Sequence, residues 1–342
     1  MKVDRKIKLA LVGTDTMRGK EIKDVLSSSK LFFDSIDFFD PDVKEEYSKL
    51  TEFRGEPKVI RHIEQDSLVG SDLVFLASDQ ETNRKFGSLS HTQDFQAIDL
   101  CGAFNAEKEI PVMVAGINDG SVLREKPGIV ANPHPATILL SHVFGAVLQE
   151  FVLEKVVSIV LQPVSAFEES GIEELASQSF AILNGSALTK KVFKAQIAFN
   201  LLSHTEALDK DGFDAVERQV AAEVRKVLGV KDLPLTLSII QAPVFHTYSI
   251  MSYFELKKKV SLQRLKDLFK RSPYIKLSSP KLSAPASCVS VAGKDKIHIG
   301  QIKKVDTLPN SFWVWAVVDN LTRGSALNAL EIAEKLLSAR RT

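Results

Sequence analysis

Between residues 6 and 115 the chain repeats one pattern: a short apolar run, a tight turn, then a stretch with helical spacing. Residues 6–12 (KIKLALV) stop at Gly13, after which Lys20, Ile22, Val25 and Leu26 recur at helical intervals. Further apolar runs follow at 35–40 (SIDFFD), 73–77 (LVFLA), 95–100 (FQAIDL) and 111–115 (PVMVA). Runs this short and this continuous suit strands that are covered on both faces. Alternating with helix-length segments, they predict a parallel, doubly wound α/β sheet.

Two prolines in Asn132-Pro133-His134-Pro135 break the series, and a helix-like segment, 136–150, follows. The domain boundary is placed there. Beyond it, longer strand-like segments at 154–163, 235–244 and 249–257 are separated by helical ones such as 171–184 and 214–228. This predicts an α+β domain with a mostly antiparallel sheet. From 321 onward Ala326, Ala329, Leu330, Ala333 and Leu336 have helical spacing, and that helix is expected to return to the first domain. The expected division is 1–132 plus 321–342 for one domain and 133–320 for the other. Residues 278–287, rich in Ser, Pro and Lys, read as an exposed loop.

With 342 residues, 44% of them hydrophobic, each domain can bury its own core without disulfide staples. The 44 Lys+Arg against 43 Asp+Glu leave no electrostatic footprint for nucleic acid or an anionic membrane. No run approaches the roughly 18 apolar residues of a membrane span; the nearest, 239–251, is interrupted by Gln, Pro, His and Thr. The N-terminal residues read as the first strand and not as a signal sequence. The expectation is a cytoplasmic protein with neither nucleic acid nor membrane as partner. Cys101 and Cys288 lack a CxxC or His-rich neighbourhood, so neither a zinc site nor a structural disulfide is indicated.

The turn Gly13-Thr14-Asp15-Thr16-Met17-Arg18-Gly19 stands where a dinucleotide-binding loop would bring backbone N–H groups and a helix N-terminus to a pyrophosphate. A full glycine fingerprint would need glycine at Thr16, and Asp15 adds a negative charge, so an ordinary strand-to-helix turn is the competing reading. Ser78, just after the third apolar run, joins the candidate cofactor residues. Asp40, ending the second run, is placed to accept hydrogen bonds from an adenosine ribose, which would favour NAD over NADP.

Residues 131–137 (ANPHPAT) open a helix, where a nucleophile would gain a lowered pKa and an oxyanion would find N–H donors. Pro135 occupies the central position and cannot attack a carbonyl, while His134 reads as a capping or surface residue rather than a base. His246, near Thr247 and Tyr248 at the end of a strand-like segment, is a candidate base, with a structural histidine as the alternative. Cys101, following FQAIDL at the edge where α/β proteins bind ligands, reads either as a thiol nucleophile or as a small core residue.

Taken in order, the stretches LALVGTDTMRG, AIDLCGAF, ANPHPAT, LQPVSAFEESGIEEL, EVRKVLG, APVFHTYS and WVWAVVDNLTRGSALNALEIAE resemble the aspartate-semialdehyde dehydrogenase family over essentially the whole chain. The run 162–183 is similar to its Usg-like branch. The resemblance implies a Rossmann-type NADP-binding domain, a C-terminal α+β domain for catalysis and dimerisation, and a homodimer. The implied reaction is reductive dephosphorylation of aspartyl phosphate through a cysteine thioester, with hydride from the nicotinamide and a histidine as acid/base.

Carried over by position, the resemblance places the nucleophilic cysteine at Pro135, the acid/base histidine at Tyr248 with a glycine before it at Thr247, and the substrate arginine at Gln241. Gln162 matches the active-site glutamine and Asn320 the asparagine near the nicotinamide. The family's stretch for the adenosine phosphate is replaced by DPDVKEEY, at 40–47. An extended segment would put His246 on the face of Tyr248, where it could partly substitute. The expectation is a homologue that keeps fold and dimer but has lost catalysis, with NAD or NADP binding open. The alternative is an NAD(P)-dependent oxidoreductase acting on a semialdehyde or acyl substrate through altered residues, Cys101 or His246.

Overall fold

The computed structural model describes residues 6–44, 49–105, 107–278 and 285–341. The chain forms two compact units, one comprising Met1–His134 with Ser325–Thr342 and the other Pro135–Gly324.

In the first unit, β1 (Lys8–Val12), α1 (Met17–Ser28), β2 (Ser35–Phe39), β3 (Lys49–Phe53), β4 (Glu56–Arg61), β5 (Leu73–Leu76), α2 (Gln80–Gly87), α3 (Ser90–Gln93), β6 (Gln96–Asp99), α4 (Asp119–Arg124) and β7 (Ile129–Ala131) follow in order. The strands form one sheet in the order β3-β4-β2-β1-β5-β6-β7, parallel throughout except for the β3–β4 pair. The short apolar runs are explained by burial on both faces. Leu9 and Leu11 pack with Ile22 and Leu26 of α1 and with Ile332 and Leu336 of the C-terminal helix Leu327–Arg341. Ala10 and Val12 face the other way, with Phe86, Phe95 and Phe104. Strand order reverses between β1 and β5, which makes the carboxyl ends of those strands the place where such sheets bind ligands.

In the second unit, α5 (Pro135–Leu148) leads into β8 (Leu153–Gln162) and α6 (Glu168–Leu183). Then come α7 (Ala215–Leu228), β9 (Leu235–Gln241), β10 (Tyr248–Leu256), α8 (Leu262–Arg271), β11 (Ile275–Leu277), α9 (Cys288–Val291), β12 (Ile297–Lys304) and β13 (Ser311–Val318). The sheet order is β11-β12-β13-β10-β8-β9. Three of its pairings are antiparallel, while β8–β9 and β11–β12 are parallel. Period-two alternation in β8, β9, β10 and β13 sends Val156, Val160, Leu237, Ile250, Phe254 and Val314 into a core closed by α5, α7 and α8. Helix α7 starts in a capping box of Asp214 and Glu217 and stops at Gly229, φ +66°.

The expected doubly wound sheet and the mostly antiparallel second sheet are both present. One expectation needs correction, and one hairpin was not foreseen. Residues 111–115 are not a strand; Val112 makes only an isolated bridge to Ala131, and the edge strand is β7, too short to stand out as an apolar run. The β3–β4 hairpin carries exposed charged and polar residues, so it lacks the apolar signature of a buried strand. The 278–287 loop and the DPDVKEEY stretch fall partly outside the described residues.

Candidate active site

Gly13, at the end of β1, takes φ +83°, and a Cβ there would lie 2.5 Å from the Ser78 backbone nitrogen at the end of β5. Only glycine serves at that position. Gly19 is equally constrained, since its Cβ would fall 1.9 Å from the Gly13 carbonyl oxygen. Thr16 is the N-cap of α1: its Oγ1 accepts from the Gly19 N–H at 3.0 Å and lies 2.9 Å from both the Gly13 and Ala77 carbonyl oxygens. Met17 and Arg18 begin α1. The hydroxyl that replaces a fingerprint glycine is therefore a cap that ties the turn to β5. Thr14 is buried, with its hydroxyl 3.1 Å from the Phe39 carbonyl. The charge of Asp15 is met by Lys49 at 2.6 Å.

Asp40 points inward. Its Oδ2 accepts from the Asp15 N–H at 3.1 Å and its Oδ1 from the Asp42 N–H at 3.0 Å, and the residue is 3% exposed. Burial is the main influence on its carboxyl and raises the pKa above the ordinary aspartate value. The ribose contact expected from its position would require giving up bonds that close the loop. Ser78 donates its N–H to Asn83 Oδ1 at 3.0 Å. Asn83, a residue with no sequence signal, also donates to the Leu76 carbonyl, Asp99 Oδ1 and Cys101 Sγ.

Cys101 is a packed thiol. Burial first, and the Asp99 carboxylate second, push its pKa far up, so it stays protonated near neutral pH and lacks the thiolate that attack requires. His134 is half-buried, and desolvation lowers its pKa to about 4. It remains uncharged at neutral pH, which removes it as a cation for an anionic substrate.

In the second unit, strand ends assemble a buried polar cluster. Gln162 ends β8 and Gln241 ends β9, paired in parallel register; Tyr248 begins β10. The Gln162 side chain donates to Gln241 Oε1 at 3.0 Å, the Gln241 side chain donates to the Gln162 carbonyl at 3.1 Å, and the Tyr248 hydroxyl donates to Gln162 Oε1 at 2.9 Å. These residues are 7%, 1% and 1% exposed. Beyond β13, Asn320 Oδ1 accepts the Thr247 N–H at 2.9 Å, and Asn320 Nδ2 donates to Ser165 Oγ at 3.1 Å. Ser165 was not singled out by the sequence, although it lies three residues after Gln162 in the same motif.

Thr247 has φ +79°, a conformation that favours glycine and strains a β-branched residue. Its hydroxyl is buried with no hydrogen-bond partner, as is His246 Nδ1. The segment is consequently not extended at this point, and the face-sharing expected of His246 and Tyr248 does not hold: the φ at Thr247 breaks the alternation. Pro135 is the first residue of α5, a position that suits proline because the N–H it lacks would have no partner inside the helix.

A model of the semialdehyde dehydrogenase dimerisation domain matches residues 145–323, more than half of the chain. The chain belongs to the semialdehyde dehydrogenase family. Aspartate-semialdehyde dehydrogenase of Prochlorococcus marinus is 25% identical over 98% of this chain and 97% of its own length. Among solved structures, aspartate semialdehyde dehydrogenase II of Vibrio cholerae superposes with a TM-score of 0.91 at 22% identity, covering 98% and 99% of the two chains. The enzyme of Candida albicans with NADP superposes with a TM-score of 0.72 at 14% identity over 99% and 100%. At those identities the two structures speak for the fold of this family member. No helix among the described residues is long and apolar enough to cross a membrane.

Proposed function

We propose that this member of the semialdehyde dehydrogenase family is a dimeric scaffold of the Usg-like branch that does not carry out the phosphate-dependent dehydrogenase reaction of aspartate semialdehyde. The observation that carries this reading is the closed network of Gln162, Gln241 and Tyr248. The family chemistry requires a thiolate, an acid/base and a cation for the substrate carboxylate. At the positions implied for them stand Pro135, Tyr248 and Gln241. Tyr248 donates to the Gln162 side chain, and Gln241 accepts from that side chain and donates to the Gln162 and Ala242 carbonyls, so the cluster works as a structural core. Loss of a covalent nucleophile removes the route itself, not merely a fraction of its rate.

Dinucleotide binding is a separate matter. The backbone around Gly13 and Gly19, with the N-terminus of α1, fits the pyrophosphate of NAD or NADP. Asp40 does not fit the ribose, because its carboxylate is committed to the loop. Gly13, Thr14, Thr16, Met17, Arg18, Gly19 and Ser78 would hold the cofactor, whose own contribution when bound is hydride transfer.

The dimer rests on the matched dimerisation domain and on the sheet face that α5, α7 and α8 leave uncovered. Val157 and Ile159 of β8 are 38% and 40% exposed there, and registers place Met251, Tyr253 and Trp313 beside them. A contiguous apolar sheet face of this kind marks an association surface. A second copy of the chain is its occupant, by a two-fold pairing of like surfaces.

The alternative, an oxidoreductase of altered chemistry, is favoured only by the unpartnered ring nitrogen of His246, since Cys101 stays protonated. Activity towards a semialdehyde or acyl substrate that disappears in His246→Ala, with folding intact, would establish it. The leading reading is tested by assaying phosphate-dependent reduction of NAD and NADP with aspartate semialdehyde, alongside light scattering for the dimer.

A further inference from the structure

In the first unit, one fully buried side chain ties together the strand ends against which the Gly13 turn rests. Asn83 lies on α2 and is shut off from solvent. Its Oδ1 accepts the Ser78 N–H at 3.0 Å, and its Nδ2 lies 2.8 Å from the Leu76 carbonyl oxygen, 2.9 Å from Asp99 Oδ1 and 2.9 Å from Cys101 Sγ. Leu76 ends β5 and Asp99 ends β6, so one amide joins the carboxyl ends of two neighbouring strands. Asp99 is held in turn, because its Oδ1 accepts the Cys101 N–H at 3.1 Å and its Oδ2 the Phe104 N–H at 3.2 Å. Helix α2 has its own cap in Asp79, whose Oδ1 accepts the Thr82 N–H at 2.9 Å. The bonds of Asn83 therefore serve the strand ends and not the helix that carries it.

The turn after β1 is built directly on this point. A Cβ on Gly13 would lie 2.5 Å from the Ser78 nitrogen and 2.7 Å from the Ala77 carbonyl carbon. The Thr16 hydroxyl that caps α1 lies 2.9 Å from the Ala77 carbonyl oxygen. With contacts this close, the backbone of the turn follows any movement of Ala77 and Ser78. Burying an amide is costly unless it is fully paired, and every bond of this one acts on the spacing between β5, β6 and the turn.

We propose that Asn83 is a positioning residue for the pyrophosphate of a bound dinucleotide: through Ser78 and Ala77 it fixes the Gly13 turn, without touching the cofactor itself. The inference rests on the dinucleotide reading given above. A loop that presents several N–H groups to one pyrophosphate must hold them within about 0.5 Å of the productive geometry. A side chain one layer behind the loop is thus able to set the affinity.

The test is a fluorescence titration with NADH and NADPH, with circular dichroism to check folding. Asn83→Leu keeps the volume and removes every bond, and its affinity is expected to fall by about tenfold or more. Asn83→Asp separates positioning from a general loss of stability. Ionised, its carboxylate accepts from Ser78 but cannot donate to Leu76 or Asp99; protonated, it does both again. Its affinity relative to wild type is expected to weaken by about fivefold or more between about pH 6 and about pH 9. In the wild type, the side-chain amide resonances of Asn83 are expected to shift with the midpoint of NADH binding, a readout that needs no variant to fold. A wild-type protein that binds neither nucleotide would remove the dinucleotide reading, and this inference with it. Wild-type binding matched at every pH by both folded variants, or an Asn83 amide indifferent to bound NADH, would overturn the role of Asn83 alone.

Discussion

Tyr248 donates its hydroxyl to Gln162 Oε1 over 2.9 Å, at the junction where β8 ends and β10 begins. The bond joins Gln162, which the resemblance places at the family's glutamine, to Tyr248, which it places at the family's histidine. A buried phenol needs such a partner, and the glutamine in turn is held by Gln241. Substitution at one position thus depends on the others, and the three residues are best understood as a unit.

Tyr248→Phe removes the donor and leaves Gln162 Oε1 buried without it. The expected loss is about 1–3 kcal/mol of stability, seen as a lower midpoint in urea denaturation. An unchanged midpoint would show that the network contributes nothing to the core.

Thr247→Gly should stabilise the protein. The positive φ of Thr247 and its partnerless buried hydroxyl each carry a cost of about 1–3 kcal/mol. Glycine relieves both, at a loss of roughly 1 kcal/mol in chain entropy and about 0.8 kcal/mol for a buried methyl. Net stabilisation from a few tenths to about 4 kcal/mol is expected in the same denaturation experiment. Destabilisation would mean that the threonine packs better than its backbone suggests.

Much of this arrangement could be read from residues alone, for identifiable reasons. The parallel sheet was legible because β1, β5 and β6 are apolar on both faces, and Gly13 because a strand-to-helix turn there demands its φ. The burial of Gln241 and Tyr248 in one hydrogen-bonded cluster with Gln162 was not legible at all. Asp40 has the position of a ribose ligand, but sequence does not tell where a carboxylate points, and the loop amides of Asp15 and Asp42 capture it. Nor could the alternation rule foresee the turn at Thr247, because a β-branched residue is an unusual occupant of a positive φ. The β3–β4 hairpin was hidden by its polar surface.

The direction of the Asp40 carboxylate has a consequence for cofactor choice. With the Asp40 carboxylate held by the loop amides of Asp15 and Asp42, NADH and NADPH are expected to bind within about threefold of each other in a fluorescence titration. Gly19→Ala, whose Cβ would meet the Gly13 carbonyl, should abolish binding of both. Marked preference for NADH that disappears in Asp40→Asn would show that the carboxylate reaches the ribose after all.

Association should depend on the open sheet face. Ile159→Glu places a charge at the middle of it, and light scattering is expected to show the dimer replaced by monomer with the fold intact. A wild-type monomer, or a dimer indifferent to the substitution, would remove this face as the interface.

The most direct measurement is turnover itself: purified protein with aspartate semialdehyde, inorganic phosphate and either NADP or NAD, followed at the absorbance of the reduced nicotinamide. With Pro135 at the position the resemblance assigns to the nucleophile and Gln162, Gln241 and Tyr248 hydrogen-bonded together, the proposed reading expects no phosphate-dependent reduction above the uncatalysed background. Saturable, phosphate-dependent reduction by the wild-type protein would contradict the loss of catalysis.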